Sequence, residues 1–377
     1  MIPAIYTIPI QHLASGDRNF LQVYQFRGAQ PGKKAYLQAN LHGAEIVGNA
    51  VIYQLIEFLR SLDDTQLAGE VWLVPVCNPM GTNQRSHFFA TGRYNPYDGR
   101  DWNRIFWDYE KEGEDLATFA QSQINLQPEQ IRHNYLARIQ SSFQQQLGKI
   151  NSLRAVPFRE YYRYQLQSLC LDANYVIDIH SSSNQAIDYL YCFHSREESA
   201  KAFQLPYGIL LKEYAGNTFD EAFLKPWLAL EKKLAELGKY IRFDLESWTL
   251  ELGEGMVMNP ESITKGVIGI ENYLAYHGML TIPGFPLPET GSFSIDFISK
   301  SQIQEYYAPM GGMIQSRVEL GSEVQAGQVL YQLLVFHKNG ELPTLIDISA
   351  ETDGVIFNLS TSQSVNQGEY VLSIISN

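Results

Sequence analysis

Three runs of this chain are apolar on consecutive rather than alternate residues: KKAYLQANL (33–41), EVWLVPVC (70–77) and YVIDIH (175–180). An alternating strand has one wet face, whereas a strand apolar throughout is covered on both, which is how helices flank the sheet of an α/β protein. Between the first two runs lies NAVIYQLIEFLRSL (49–62), apolar at helical spacing. The same order starts earlier with the strand-like LQVYQF (21–26) and returns later, with DYLYCFH (188–194) and WTLELGE (248–254) reading as strands. KPWLALEKKLAEL (225–237) and GVIGIENYLAYHGML (266–280) read as helices. The expected class is α/β, a mixed, mostly parallel sheet flanked by helices.

With 377 residues the chain exceeds what one core usually holds, so a boundary is expected. TIPGFPLPETGSF (281–293), dense in Pro and Gly, supplies it, dividing a domain over 1–285 from one over 286–377. Within the first, 107–170 is rich in Gln and charge and carries Ile131, Tyr135, Ile139 and Phe143 at helical spacing. It reads as a helical insertion, either a packing layer or a lid. Beyond the boundary is an internal repeat: APMGGMIQSRVELGSEVQAGQVLYQL (308–333) matches SAETDGVIFNLSTSQSVNQGEYVLSI (349–374), aligning Gly312 with Gly354, Val324 with Val365 and Gly327 with Gly368. Short β-rich runs punctuated by Gly predict a small two-fold β-sandwich or barrel. This tail resembles the lipoyl/biotinyl-carrier fold, whose members carry a prosthetic group on a hairpin lysine. The hairpin here, VFHKNGELPT, offers Lys338 without the flanking Met usual in biotinyl domains, so a structural module is expected.

A formal charge of -13 and a pI near 5.1 argue against nucleic acid or an anionic membrane as partner. Cys77, Cys170 and Cys192 are an odd count without CxxC spacing, the pattern of reduced thiols. No basic leader precedes an apolar stretch and no run is long enough to span a bilayer, so a cytoplasmic location is expected.

The chemistry gathers at strand ends. LHGAEIVGN (41–49) sets His42 and Glu45 three residues apart where an apolar run gives way to a helix. Two such side chains can converge on one metal ion, although a Glu near a helix start is also favoured by the helix dipole alone. His180 closes the run YVIDIH and could complete a His₂Glu set with a fourth position open to water, the arrangement of a catalytic zinc site. The remaining histidines have no comparable partner. Between the two lies NPMGTNQRSHFFATGRYNPYDGRDWNR (78–104), with Arg85, Arg93, Arg100 and Arg104 as cationic donors for a carboxylate or an oxyanion. A solvated loop is the expected setting of Arg93 and Arg100.

HGAE, NPMGTNQR, RDWNR, DIH and LELGE, in this order across about 35–280, resemble the succinylglutamate desuccinylase/aspartoacylase family of the zinc carboxypeptidase-like fold, whose members also share the β tail. The resemblance implies His42, Glu45 and His180 as ligands of one zinc per chain, with Asp101 as the acceptor that orients a ligand histidine. It implies Arg85 as the carbonyl-polarising arginine, Asn103 and Arg104 as the grip on a substrate carboxylate, and Glu251 as the general base. Where this chain has Trp102 the family commonly has Leu, a change expected to reshape the pocket floor. Glu254 and Glu271 compete with Glu251 for the role of base.

The expected activity is a zinc-dependent amidohydrolase that removes the acyl group of an N-acyl amino acid or a related small carboxylate. A metallocarboxypeptidase acting on peptide C-termini is the alternative, because an Asn-Arg grip suits both. A binding module with a vestigial site would not need three ligands, a base and the arginines together. The acyl group, the amine and the oligomeric state are not encoded in these motifs.

Overall fold

The structure is a computed structural model and describes residues 1–112, 115–150, 155–285 and 294–376. The chain enters through an antiparallel pair, β1 (Ala4–His12) and β2 (Arg18–Arg27). The unit β3 (Gln30–Ala39), α1 (Val47–Ser61) and β4 (Ala68–Val74) follows, β3 and β4 lying parallel. A short helix α2 (Pro79–Asn83) leads to the insertion helices α3 (Leu116–Gln123), α4 (Pro128–Ile150) and α5 (Phe158–Ser168). Then come β5 (Tyr175–Ser182), β6 (Gln185–Ala186), β7 (Tyr189–Phe193), α6 (Glu197–Ala200) and β8 (Tyr207–Leu211). The first domain ends with α7 (Phe219–Glu236), β9 (Glu246–Glu254), α8 (Pro260–Tyr276) and β10 (Asp296–Ser299).

These strands build a nine-stranded sheet in the order β1-β2-β4-β3-β5-β9-β7-β8-β10. The pairs β4–β3, β3–β5, β5–β9, β7–β8 and β8–β10 are parallel; β1–β2, β2–β4 and β9–β7 are antiparallel. The unalternating runs are its centre: Ala35, Leu37, Ile177, Ile179, Trp248 and Leu250 are buried with Val51, Leu55 and Leu59 of α1 and Ile270 and Tyr273 of α8. Because β3, β5 and β9 are parallel, His42, His180 and Glu251 emerge at the same end of the sheet.

The segment 107–170 contributes the helices α3, α4 and α5 among its described residues. Ile131, Tyr135, Ile139 and Phe143 are buried against Trp107 and against Trp227, Leu230 and Leu234 of α7, so this segment packs as a layer on the domain. α7 begins earlier than the predicted 225–237 and carries Pro226 in its interior. The proline lacks the N–H that the Ala222 carbonyl would otherwise accept.

The C-terminal domain repeats one four-strand order twice. β11 (Ile303–Tyr307), β12 (Gly312–Arg317), β13 (Glu323–Val324) and β14 (Val329–Val335) are followed by β15 (Thr344–Ser349), β16 (Gly354–Leu359), β17 (Ser364–Val365) and β18 (Tyr370–Ser376). Strands of the two halves mix in two antiparallel sheets, β11-β18-β16-β13 and β15-β14-β12-β17, closed over Ile314, Leu333, Ile356, Leu372 and Ile374. Gly327 and Gly368, aligned by the repeat, both have positive φ (84° and 80°), the turn conformation that keeps glycine there.

The large sheet extends past the boundary expected at 285, since β10 pairs with β8. Part of the Pro/Gly stretch that suggested the boundary, 286–293, lies outside the described residues. Among the described residues no helix is long and apolar enough to cross a membrane, and the three cysteines are buried and free.

Candidate metal centre

β3 ends at Ala39, and the chain turns at Asn40, a buried non-glycine residue with φ of 67°. Its side-chain nitrogen repays the strain by donating to the carbonyls of His42, Gly43 and Glu45, which fixes the turn carrying two candidate ligands. Asn78 braces the same turn from outside: it accepts from Gly81 N at the start of α2 and donates to Leu41 O. Gly43 must be glycine, since a Cβ there would lie 2.1 Å from the carbonyl oxygen of Gly81. α1 starts without a side-chain cap, so HGAE is not a capping sequence.

The side chains converge. His42 Nδ1 lies 2.9 Å from Glu45 Oε1, and His180 Nδ1 lies 2.7 Å from Glu45 Oε2. One ligand atom from each lies within 4.8 Å of the others, and all three residues are buried. The outward nitrogens are held by further carboxylates: His42 Nε2 lies 2.9 Å from Asp101 Oδ1, and His180 Nε2 lies 2.9 Å from Asp178 Oδ2. Each imidazole is therefore pinned on one side by a carboxylate and offers its Nδ1 to a common point. Asp178 is in turn held by Gln38 Nε2 at 3.0 Å, and Gln38 by the Tyr36 hydroxyl at 3.0 Å.

The electrostatics call for a cation. Three carboxylates, Glu45, Asp101 and Asp178, surround two imidazoles. Burial alone would raise the Glu45 carboxyl, but the two histidines hold it far below the usual range. Burial also opposes ionisation of Asp101, yet the hydrogen bond and charge of His42, with Arg93, bring it down to about 2. His42 and His180 are both raised: burial disfavours their charge, and the adjoining carboxylates outweigh it. With both imidazoles neutral, as metal ligands are, three carboxylates face Arg93 alone, and the two inward nitrogen donors with one carboxylate fit a divalent metal of the zinc type.

Glu251 is opposite His180 on the neighbouring strand β9 and half-buried. Burial is the main reason its carboxyl is pushed up to about 7, and the Glu45 charge adds to it against His180, His42 and Arg93. Glu254 is opposite Ser182, and Glu271 is buried along α8.

The arginines depart from expectation. Arg85 is exposed and donates to the carbonyls of Thr82 and Gln84 in its own turn, so its guanidinium does not join the cluster. Arg93, expected on a solvated loop, does: its Nε lies 3.0 Å from Asp101 Oδ2, and its Nη1 lies 3.6 Å from Glu45 Oε1. The cause is backbone pairing, Gly43 N to Gly92 O and Ala44 N to Thr91 O, which folds 91–93 back over the ligand turn. Asp178 was also missed, although an Asp two residues before a His on one strand shares its face.

Asn103 and Arg104 follow Asp101 in a 3₁₀ turn, Trp102–Arg104. Asn103 Oδ1 accepts from Phe219 N at the start of α7. Arg104 is exposed, donates to Asn103 O and, with Glu251 and Asp220, sets the electrostatic surroundings of Tyr191. Trp102 points away into the core and packs edge-on against Tyr162 and Phe158, supporting this turn from below.

The family model for the succinylglutamate desuccinylase/aspartoacylase catalytic domain matches residues 31–149. The N-alpha-acetyl-L-2,4-diaminobutyric acid deacetylase of Halomonas elongata is 26% identical over 349 residues, 91% of this chain and 82% of that protein. A solved succinylglutamate desuccinylase/aspartoacylase structure from Shewanella frigidimarina superposes with a TM-score of 0.89 at 26% identity, covering 100% of this chain and 97% of its own. A family protein from Shewanella amazonensis superposes with a TM-score of 0.87 at 28% identity, covering 99% of each. Motif order, the buried His-Glu-His cluster and end-to-end superposition agree in direction: residues 31–149 match the catalytic domain of the succinylglutamate desuccinylase/aspartoacylase family, and the whole chain is similar to solved structures of that family.

Proposed function

We propose that this protein is a zinc-dependent amidohydrolase, with one zinc per chain, that deacylates an N-acyl amino acid or a related small carboxylate in the cytoplasm. The observation that carries the reading is the convergence of His42, Glu45 and His180 with Glu251 opposite His180 on the next strand. The deacetylase activity named for the Halomonas relative supports an N-acyl substrate.

A zinc ion held by His42, Glu45 and His180 would supply Lewis acidity toward the amide carbonyl and a more acidic water. Glu251, poised near neutrality, takes a proton from the attacking water as the oxygen–carbon bond forms. Arg93, held by Asp101, offers N–H groups to the oxyanion that develops on the former carbonyl oxygen. Glu251 then passes the proton to the leaving nitrogen as the carbon–nitrogen bond breaks, giving a carboxylate and a free amine. Asn103 and Arg104 grip the carboxylate of the amino-acid portion. Asp101 and Asp178 keep the two imidazoles in the tautomer that leaves Nδ1 free. Arg93 takes the polarising role on its contacts here, in place of Arg85. The C-terminal domain is read as a structural module of the lipoyl/biotinyl type, and added mass on Lys338 in intact protein would contradict that.

The test combines metal analysis with turnover of N-acyl amino acids and short peptides by wild type, His42→Ala, Glu251→Gln, Arg93→Ala and Arg85→Ala. The expected result is about one zinc per chain, lost in His42→Ala and kept in Glu251→Gln, whose kcat falls by about 10²–10⁴-fold or more. Arg93→Ala should lose about 10²–10³-fold in kcat, with Arg85→Ala much closer to wild type. Failure of the wild type to take up metal would overturn the proposal, and turnover of peptides alone would replace deacylase by carboxypeptidase.

A further inference from the structure

Between β5 and β7 the chain leaves one side of β9 and returns on the other, because the sheet order there is β5-β9-β7. The connection therefore passes over the end of β9 that carries Glu251 and begins just after His180. It is held by the C-terminal domain. β6 pairs antiparallel with β16, Gln185 opposite Leu359 and Ala186 opposite Asn358, and Ile187 N donates to Phe357 O at 3.2 Å. Asn358 Nδ2 donates to Ser182 Oγ at 3.0 Å, and Thr361 Oγ1 donates to Ser183 O at 3.4 Å.

β16 is irregular at this place. Its register against β18 shifts between Ile356 and Asn358, the mark of a bulge, which lets neighbouring residues face one way and re-aims a side chain. Both Phe357 and Asn358 consequently reach the first domain. The Phe357 ring packs 5.0 Å from that of Tyr189, the residue opposite Glu251. Asn358 Oδ1 accepts from the Tyr370 hydroxyl at 2.8 Å, so its amide is oriented with the nitrogen toward Ser182. From Ser182 the contacts run on into the site: Gly255 N donates to Ser182 O at 2.6 Å, and Met256 N donates to Ala44 O at 2.6 Å, between His42 and Glu45.

We infer that Asn358 and Ser182 are positioning residues through which the C-terminal domain fixes the ligand His180 and the base Glu251 relative to the HGAE turn. The inference rests on the proposed function for its link to zinc, and the clamp itself is a property of the chain. Neither residue touches the reacting atoms. A loosened clamp lets the crossing segment shift, and with it the strand end that bears a ligand.

The experiment uses the full chain as wild type, Asn358→Ala, Ser182→Ala and the double variant. It reads zinc release to a chelator, kcat and KM separately, thermal unfolding, and amide exchange over 181–187. Each single variant should release zinc about 5–10-fold faster and lose a similar factor in kcat with little change in KM, and the double variant should be no worse than either. Wild-type zinc release in Asn358→Ala, or effects of the two substitutions that multiply, would overturn the inference. Should wild type take up no zinc, the proposed function fails by itself. The clamp then stands if exchange over 181–187 quickens in both single variants, and falls if it does not.

Discussion

Among the described residues two glutamates are pushed up to about 7, and their surroundings give them different work. Glu251 is raised by burial and by the Glu45 charge against the pull of His180, His42 and Arg93, so its protonation is tied to the site. Glu271 is raised by burial alone, on the packed face of α8. Unlike Glu251, it feels no charge of the His-Glu-His cluster, which removes it from contention as the base. Its consequence is for stability. Below the carboxyl's unfolded value, near 4.3, it is protonated folded and unfolded and has no effect. Between that value and about 7 the native state keeps a proton that the unfolded chain releases, so stability falls as pH rises through this window. Glu271→Gln is expected to stabilise the protein by roughly 1–3 kcal/mol at pH 8, with the gain shrinking toward pH 5. Urea unfolding at the two pH values checks this, and a gain independent of pH would show that the carboxyl does not titrate as described.

At the scale of elements, legibility followed periodicity. β3, β5 and β9 were readable because apolar residues run through them unbroken, and the candidate ligands His42 and His180 were readable because each ends such a run. Arg93 was not, because its place is set by Gly92 at φ 59° and by two backbone bonds to Gly43 and Ala44, pairings without a period. The start of α7 was missed because Pro226 suggests a first turn, whereas the helix begins at Phe219, anchored by Asn103. Within 107–170 the chain forms α3, α4 and α5, and the structure supplies what they cover. Phe143, 1% exposed, packs edge-on against Trp107 at 5.4 Å and Tyr164 at 5.2 Å. Phe143→Ala is expected to cost about 3–5 kcal/mol of stability. Because this cluster is separate from the ligand turn, zinc per folded chain should stay at the wild-type value. Loss of metal at a temperature where the variant is still folded would show instead that the insertion helps to hold the site.

For the whole molecule the question is where the first domain ends. The Pro/Gly stretch suggests 285, yet β10 adds an edge strand to the large sheet with Ile298 buried beside Ile209 and Tyr189. The same small cluster includes Phe357 and Ile375 of the C-terminal domain, so the two parts share an apolar contact as well as the β6–β16 pairing. We propose that the unit able to hold the site extends through β10. A chain ending after residue 301 keeps all nine strands but exposes Tyr189, Ile209 and Ile298, and should fold with a lowered melting temperature and a tendency to associate. One ending after residue 285 also loses the β8–β10 pairing and bares β8 as an edge, and should show no cooperative transition. Calorimetry on both decides. Equal melting temperatures would return the boundary to 285 and make β10 an ornament of the sheet, whereas a transition confined to the longer chain would make it the closing strand of the catalytic domain.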